Sequence, residues 1–380
     1  MMDENVSATI RDVARLAGVS IATVSRALNA RDGVKANTKK AVLEAVEKLG
    51  YNRNEVARSL KFRQTRTIGI IAPELSNIFF MEVIEALERC LAPKGYSMII
   101  TSSYDSVEEE KRKLQILIER NVDGMVVMPS GAEGDHFLSK ALANIPLILV
   151  DRRIKNLRVD SVETDNRFGV HKMIQALKNE GFHRIGFIGG DPSIHTAGER
   201  LNGYLEAMSL YGLRIEEQFV LHRGAMTQAN GRGLLQQALS LPDHPHAFFI
   251  ANDSMHLGAT IHAIENLDAN ELSKLVFASF DYLSYAPLLK FCHYAVSQQF
   301  EQIGEEVATL LLQRLGGNWE GFPKRVMLQP EIKVIVASGG IPFEENQQNV
   351  LHRRDSAGRE NFLAATEPNV LRCISKEESR

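Results

Sequence analysis

Cysteine is scarce: the chain has three, Cys90, Cys292 and Cys373, far apart and odd in number. That argues against a disulfide framework and against a zinc site, and for isolated thiols in a reducing compartment. No apolar stretch reaches the length of a membrane span, because a charged residue interrupts each candidate. The opening residues Met1-Met2-Asp3-Glu4-Asn5 are acidic and polar. They lack the basic stretch and apolar core of a secretion signal, so the expected location is cytoplasmic, with no membrane partner. Catalytic signatures are missing too. No Walker motif, HExxH or Ser/His/Asp set occurs, and the eleven His are scattered. Gly186-Phe187-Ile188-Gly189-Gly190 lacks the G-x-G-x-x-G spacing that lets a backbone approach a pyrophosphate. The sequence therefore points away from an enzyme and calls for no cofactor.

What is present is an ordinary globular composition with an uneven charge. The 380 residues are 44% hydrophobic and 24% charged, enough for two or three domains. Residues 1–66 hold 13 Lys+Arg and 7 Asp+Glu, a net of +6, so the net of −3 for the whole chain leaves −9 on the rest. A basic head on an acidic body suits a polyanion.

The head has a readable pattern. Thr9 can cap a helix in which Ile10, Val13, Ala14 and Ala17 share one face. Gly18 permits the positive φ of a tight stop, and Val19 would plug the core under the turn. Ser20 caps a second helix, Ile21 to Leu28, with Val24, Ala27 and Leu28 inward and Ile21, Ala22, Ser25, Arg26 and Asn29 outward. A third amphipathic helix runs from Thr38 to Gly50. Two short helices about a Gly turn make a helix-turn-helix. Small side chains early in the second helix allow close approach to duplex DNA. Arg26 suits a guanine edge, and Thr23, Ser25 and Asn29 suit phosphates. A ligand-free three-helix bundle is the plainer alternative.

At Tyr51–Arg66 the chain closely resembles the LacI/GalR family of bacterial repressors. The matching runs are Ile10-Arg11-Asp12-Val13-Ala14, Ala17-Gly18-Val19-Ser20, Thr23-Val24-Ser25-Arg26-Ala27-Leu28-Asn29, Leu49-Gly50-Tyr51, and Asn54 with Val56-Ala57-Arg58-Ser59-Leu60. The likeness implies that Ile21, Ala22 and Arg26 read bases, with Thr9, Ser20 and Arg58 completing the DNA-contacting set. Asn54–Leu60 would be a hinge helix, and Leu60 would wedge into the minor groove. Arg53 stands where the family usually has Pro. The partner implied is double-stranded, pseudo-palindromic operator DNA bound by a homodimer. The helices at residues 80–94 and 107–120 are the candidates for the dimer surface.

From Ile68 onward, strand-like and helix-like segments alternate. Strands are expected at 68–73, 96–101, 124–128, 146–151, 184–189, 218–222, 247–251 and 275–280, with a strand-like Tyr294-Ala295-Val296 after them. Helices are expected at 80–94, 107–120, 136–143, 166–181, 198–212, 228–240, 254–266 and 300–315. Apolar strands flanked by helices imply parallel sheets, and two such units in series imply two lobes with a cleft. The expected class is thus α/β: an all-α head and a two-lobed, periplasmic-binding-protein-like domain with two parallel sheets. Boundaries fall at 1–52 for the head, 53–66 for hinge and linker, 67–338 for the lobes and 339–380 for a polar tail that reads as disordered.

Ligands of open α/β sheets bind beyond the carboxyl ends of strands. Asp151, Asn252 and Asp281 end strands, Arg200 is expected to open a helix, and Gln298 follows 294–296. Such side chains can hold vicinal hydroxyls, and Phe79 and Phe80 can stack on a sugar ring. A polar residue after a strand is more often a cap, and Asp253 reads as the cap of its helix. The family resemblance places a small-molecule effector, a carbohydrate by preference, at Asp151, Arg200, Asn252, Asp281 and Gln298. Met226 stands where relatives usually carry an aromatic. A purine or nucleoside co-repressor is the alternative. A secreted sugar-binding protein of similar lobes would have no helix-turn-helix.

Overall fold

The computed structural model describes residues 8–28, 34–51, 64–155, 157–282, 286 and 292–335. The expected DNA contacts Asn29, Asn54, Arg58 and Leu60, the hinge and the tail at 339–380 lie outside them.

The head is built from α1 (Ile10–Leu16), α2 (Ile21–Leu28) and α3 (Ala36–Leu49). Asp12 accepts hydrogen bonds from the Thr9 backbone N–H (3.0 Å) and hydroxyl (2.6 Å), completing a capping box with Thr9 as N-cap. Gly18 has φ +64°, which a side chain would resist. Val13, Ala14, Val24, Ala27, Val42 and Ala45 form a small core, with Val19 and Leu28 packed at its edge.

The body opens with β1 (Thr67–Ala72), α4 (Ile78–Leu91), β2 (Ser97–Ser102), α5 (Val107–Glu119), β3 (Gly124–Val127), β4 (Leu147–Val150) and β5 (Asp160–Thr164). There follow α6 (Asn166–Asn179), β6 (Ile185–Gly189), α7 (His195–Leu210), β7 (Val220–His222), α8 (Gln228–Ser240) and β8 (Ala247–Ile250). The chain continues through α9 (Asp253–Asn266), α10 (Ala269–Leu272), β9 (Val276–Phe280), β10 (Cys292–Ser297), α11 (Phe300–Leu315), β11 (Arg325–Leu328) and β12 (Glu331–Val334). One sheet runs β11-β5-β4-β3-β1-β2 and the other β12-β10-β9-β8-β6-β7, so the two lobes share one strand order. The pairings are parallel except β10–β12, which is antiparallel.

Several expectations need correcting. The units are not strictly in series. The apolar side chains Ile303, Val307, Leu310 and Leu311 of α11 pack under the first sheet, against Ile84 and Leu87. The chain therefore passes between lobes three times: after β5, between β10 and α11, and between β11 and β12. The helix expected at 136–143 is a single 3-10 turn, Asp135–Leu138. Strand β5 was hidden by its polar residues. Asp160 is fully buried against Arg314 through Nε (2.7 Å) and Nη2 (3.1 Å), and Glu163 pairs with Arg325 at 3.0 Å. Both partners come from about 150 residues downstream, so the strand's polarity is satisfied only in the fold.

Candidate functional site

On the head, α2 presents Ile21, Ala22 and Arg26 outward, and Ile21 keeps 45% of its surface exposed. An exposed Ile beside small residues and an Arg is a surface fit to meet something. Ser20 serves the helix: its Oγ accepts from the Thr23 N–H at 3.1 Å and lies 2.9 Å from the Thr23 hydroxyl. Arg26 Nε reaches back to the Ala22 carbonyl at 3.4 Å. Thr9 and Ser20 thus already serve as caps, and Thr23 is the partner of Ser20.

In the body, a cavity of about 350 Å³ opens at the carboxyl ends of both sheets. All seven residues singled out from the sequence line it: Phe79, Phe80, Asp151, Arg200, Asn252, Asp281 and Gln298. Topology explains the convergence. β4 and β9 hold equivalent places in their sheets, so Asp151 and Asp281 leave equivalent strand ends, one per lobe. Both have positive φ, 67° and 78°, as do Tyr104 and Asp105 (53° each) on the same cavity. Asp tolerates that conformation better than most residues, and strained backbone clusters at ligand sites.

Arg200 sits well inside α7, which begins at His195, rather than opening a helix at 198. Its Nε donates to Asn166 Oδ1 (2.8 Å) and its Nη1 to the Ala251 carbonyl (2.7 Å). The guanidinium lies 3.7 Å from the Phe280 ring centroid and 3.8 Å from Asp281. Gln298 Nε2 donates to Asp281 at 2.5 Å, and its Oε1 accepts from the Thr164 hydroxyl. Asn166 Nδ2 donates to the Thr164 carbonyl at 3.0 Å. Arg200, Asn166, Thr164, Gln298 and Asp281 thus form a buried chain that ties the cavity to two of the interlobe passages. Asn252, not Asp253, is the N-cap of α9, accepting from the Met255 N–H at 3.0 Å. Asp253 stands in the first turn behind it.

Burial sets the electrostatics. Desolvation raises the Asp151 carboxyl to about 6, opposed by Arg200 and Arg152. Asp281 and Asp253 are also raised by burial, Asp253 further by the neighbouring Asp281. Phe79 and Phe80 are each only 5% exposed and meet edge to face at 5.2 Å, so they bound the cavity rather than offer an open platform. Met226 lines it as expected, its carbonyl accepting from Asn252 Nδ2 at 3.1 Å. Sequence reasoning passed over Arg152, which follows Asp151 directly. It donates through Nη1 to Asp105 (2.5 Å) and to the Pro129 carbonyl (3.0 Å). Its place in the run Asp151-Arg152-Arg153 after a strand was the available signal. Among the described residues, no group of three or more His, Cys, Asp or Glu could hold a metal, and no helix is long and apolar enough to cross a membrane.

A helix-turn-helix ahead of a two-lobed ligand cleft defines a class: a transcription regulator with a sensor domain. The family profile "Bacterial regulatory proteins, lacI family" matches residues 9–54. The profile "Periplasmic binding proteins and sugar binding domain of LacI family" matches residues 65–337. The HTH-type transcriptional repressor PurR of Proteus mirabilis is 34% identical over 313 residues, 81% of this chain and 90% of that one. The HTH-type transcriptional repressor CytR of Escherichia coli K12 is 31% identical over 329 residues, covering 85% and 94%. Among solved structures, the lac repressor dimer bound to operator and the anti-inducer ONPF superposes with a TM-score of 0.76 at 23% identity, covering 87% and 99%. The complex of the transcriptional regulator CelR with cellobiose gives 0.63 at 27% identity, covering 86% and 98%. The chain belongs to the lacI family. It is a DNA-binding transcriptional repressor of that family and not an enzyme.

Proposed function

We propose that the chain binds a pseudo-palindromic operator as a homodimer and that a small, polyhydroxylated ligand in the interlobe cleft controls that binding. The observation that carries the reading is the convergence of Asp151 and Asp281, one from each lobe, with Arg200, Asn252 and Gln298 on one cavity. A ligand gripped by both lobes favours one relative arrangement of them, and it shifts DNA affinity by its differential affinity for the two arrangements. Arg26, Ile21 and Ala22 read bases, and the basic flanks hold phosphates. One head reads too few bases for high specificity, and a two-fold pair reads two half-sites. The first of the two candidate dimer helices suits that role. Ile78 and Met81 of α4 stay exposed, as do Leu75, Ile100 and Tyr104. The outer face of α5 is charged, with Glu108 and Arg112 in local ion pairs.

Carbohydrate is favoured over purine or nucleoside. Asp151, Asp281, Asn252, Gln298 and Arg200 offer the paired donors and acceptors that suit vicinal hydroxyls. Melting of the full-length protein with a panel of sugars, polyols and nucleosides tests the reading. A compound that raises the melting temperature of the wild type but not of Arg200→Ala supports it. No stabilising compound at all contradicts the effector half.

A further inference from the structure

Charge on the cleft lining selects among the effectors that this reading allows. Six acidic or basic side chains face the cavity: Glu74, Asp105, Asp151 and Asp281 against Arg152 and Arg200. With all ionised the lining carries a net of −2, and a proton on Asp281 would still leave it negative. Asp253 adds a further carboxyl behind Asp281, and its Oδ1 is buried without a hydrogen-bond partner.

Both guanidiniums already have protein partners on part of their donor edge. Arg152 Nη1 is engaged by Asp105 and the Pro129 carbonyl. Arg200 is engaged through Nε and Nη1, and its Cζ lies 3.7 Å from the Phe280 ring centroid. Helix N-termini are the other common anion acceptors. α4, α8 and α9 begin at the cleft, and Asn77, Thr227 and Asn252 each take up one of their first-turn N–H groups. Asp253 adds a carboxylate to the first turn of α9. α7, whose Thr196 and Arg200 also line the cleft, starts without a side-chain cap.

Hydrogen-bond supply points the same way. Ionised carboxylates only accept, and the buried Arg152 Nε is a donor with no partner. A hydroxyl both donates and accepts, so a polyol can serve Asp151, Asp281 and Arg152 together. A phosphate oxygen brings no donor and a like charge.

We infer that the cleft takes an uncharged polyhydroxyl compound and rejects the phosphorylated or carboxylated form of the same compound. Glu74 and Asp105 act as the rejecting residues at its first-lobe wall.

The test uses full-length protein, calorimetric titration and melting, with matched probes: D-ribose and its 5-phosphate, D-fructose and its 1-phosphate, D-glucose, its 6-phosphate and D-gluconate, and inorganic pyrophosphate. The expected result is that the uncharged member of a pair binds at least tenfold more tightly and that pyrophosphate gives no Arg200-dependent response. The inference is overturned if an anionic member, or pyrophosphate, binds more tightly than the uncharged one and loses that binding in Arg200→Ala. If no probe of either charge binds the wild type, the effector reading fails, and the double variant Glu74→Gln/Asp105→Asn decides the charge question alone. With those charges removed, pyrophosphate should gain at least tenfold in affinity, and no gain would overturn the assignment.

Discussion

Replacing Asp151 with Asn should stabilise the protein while weakening its cleft. Burial lifts the Asp151 carboxyl from an ordinary 3.8 to about 6. The folded state therefore holds a proton that the unfolded chain releases, so this residue costs nothing below pH 3.8 and its cost grows as pH rises to about 6. At about 1.4 kcal/mol per pH unit, the full cost above pH 6 is about 3 kcal/mol, and at pH 5 roughly half of that. Asn keeps the shape and tolerates the positive φ of 67° at this position. Arg152 and Arg200 retain Asp105 and Asp281 as counter-charges, so the change strands neither. Scanning calorimetry of wild type and variant in parallel at pH 5 and pH 8 reads the effect. The variant should melt higher by roughly 5–10 °C at pH 8, with about half the gain at pH 5, and any ligand of the wild type should bind at least tenfold more weakly. A variant that melts lower at pH 8, or a gain independent of pH, would refute the argument that this carboxylate is held charged against the fold for the sake of a ligand.

Other outcomes follow from single contacts. Arg26→Ala should cost about 1–3 kcal/mol of operator affinity with melting unchanged; equal affinity in a gel shift would remove it from base reading. Val24→Ala, at a fully buried position of the head's small core, should destabilise the head by about 2 kcal/mol, so DNA binding falls while cleft ligands still bind. Gly258→Ala would place a Cβ 1.9 Å from the Gln228 carbonyl oxygen, backbone that cannot yield, where α8 and α9 touch. A loss of about 3 kcal/mol is expected; a variant melting like the wild type would mean the helices are not so close.

The head was almost fully legible because its information is local. Thr9 with Asp12, Ser20 with Thr23, and the stripe through Val13, Val24 and Ala27 each act within a turn or two. The cleft residues were legible for a different reason. Parallel sheets send their carboxyl ends to one side, so Asp151, Asn252 and Asp281 could be picked out by position alone. What the sequence concealed is long-range. Nothing in the apolar stripe of α11 says which sheet it covers. Asp160 and Glu163 break the apolar pattern of a buried strand, and their partners Arg314 and Arg325 arrive from the far end of the chain. Asn252 and Asp253 are adjacent, and only backbone geometry settles which one caps. Arg152 was missed because a basic residue after a strand looks like an ordinary solvated turn, although it is only 6% exposed.

The central claim is that the cleft governs the head. Fluorescence anisotropy of the full-length protein on a duplex selected from genomic DNA, with and without the ligand found by melting, tests it directly. The account predicts that ligand changes operator affinity about tenfold or more and that Arg200→Ala binds the same DNA but no longer responds. A ligand that occupies the cleft and leaves operator affinity unchanged would contradict it.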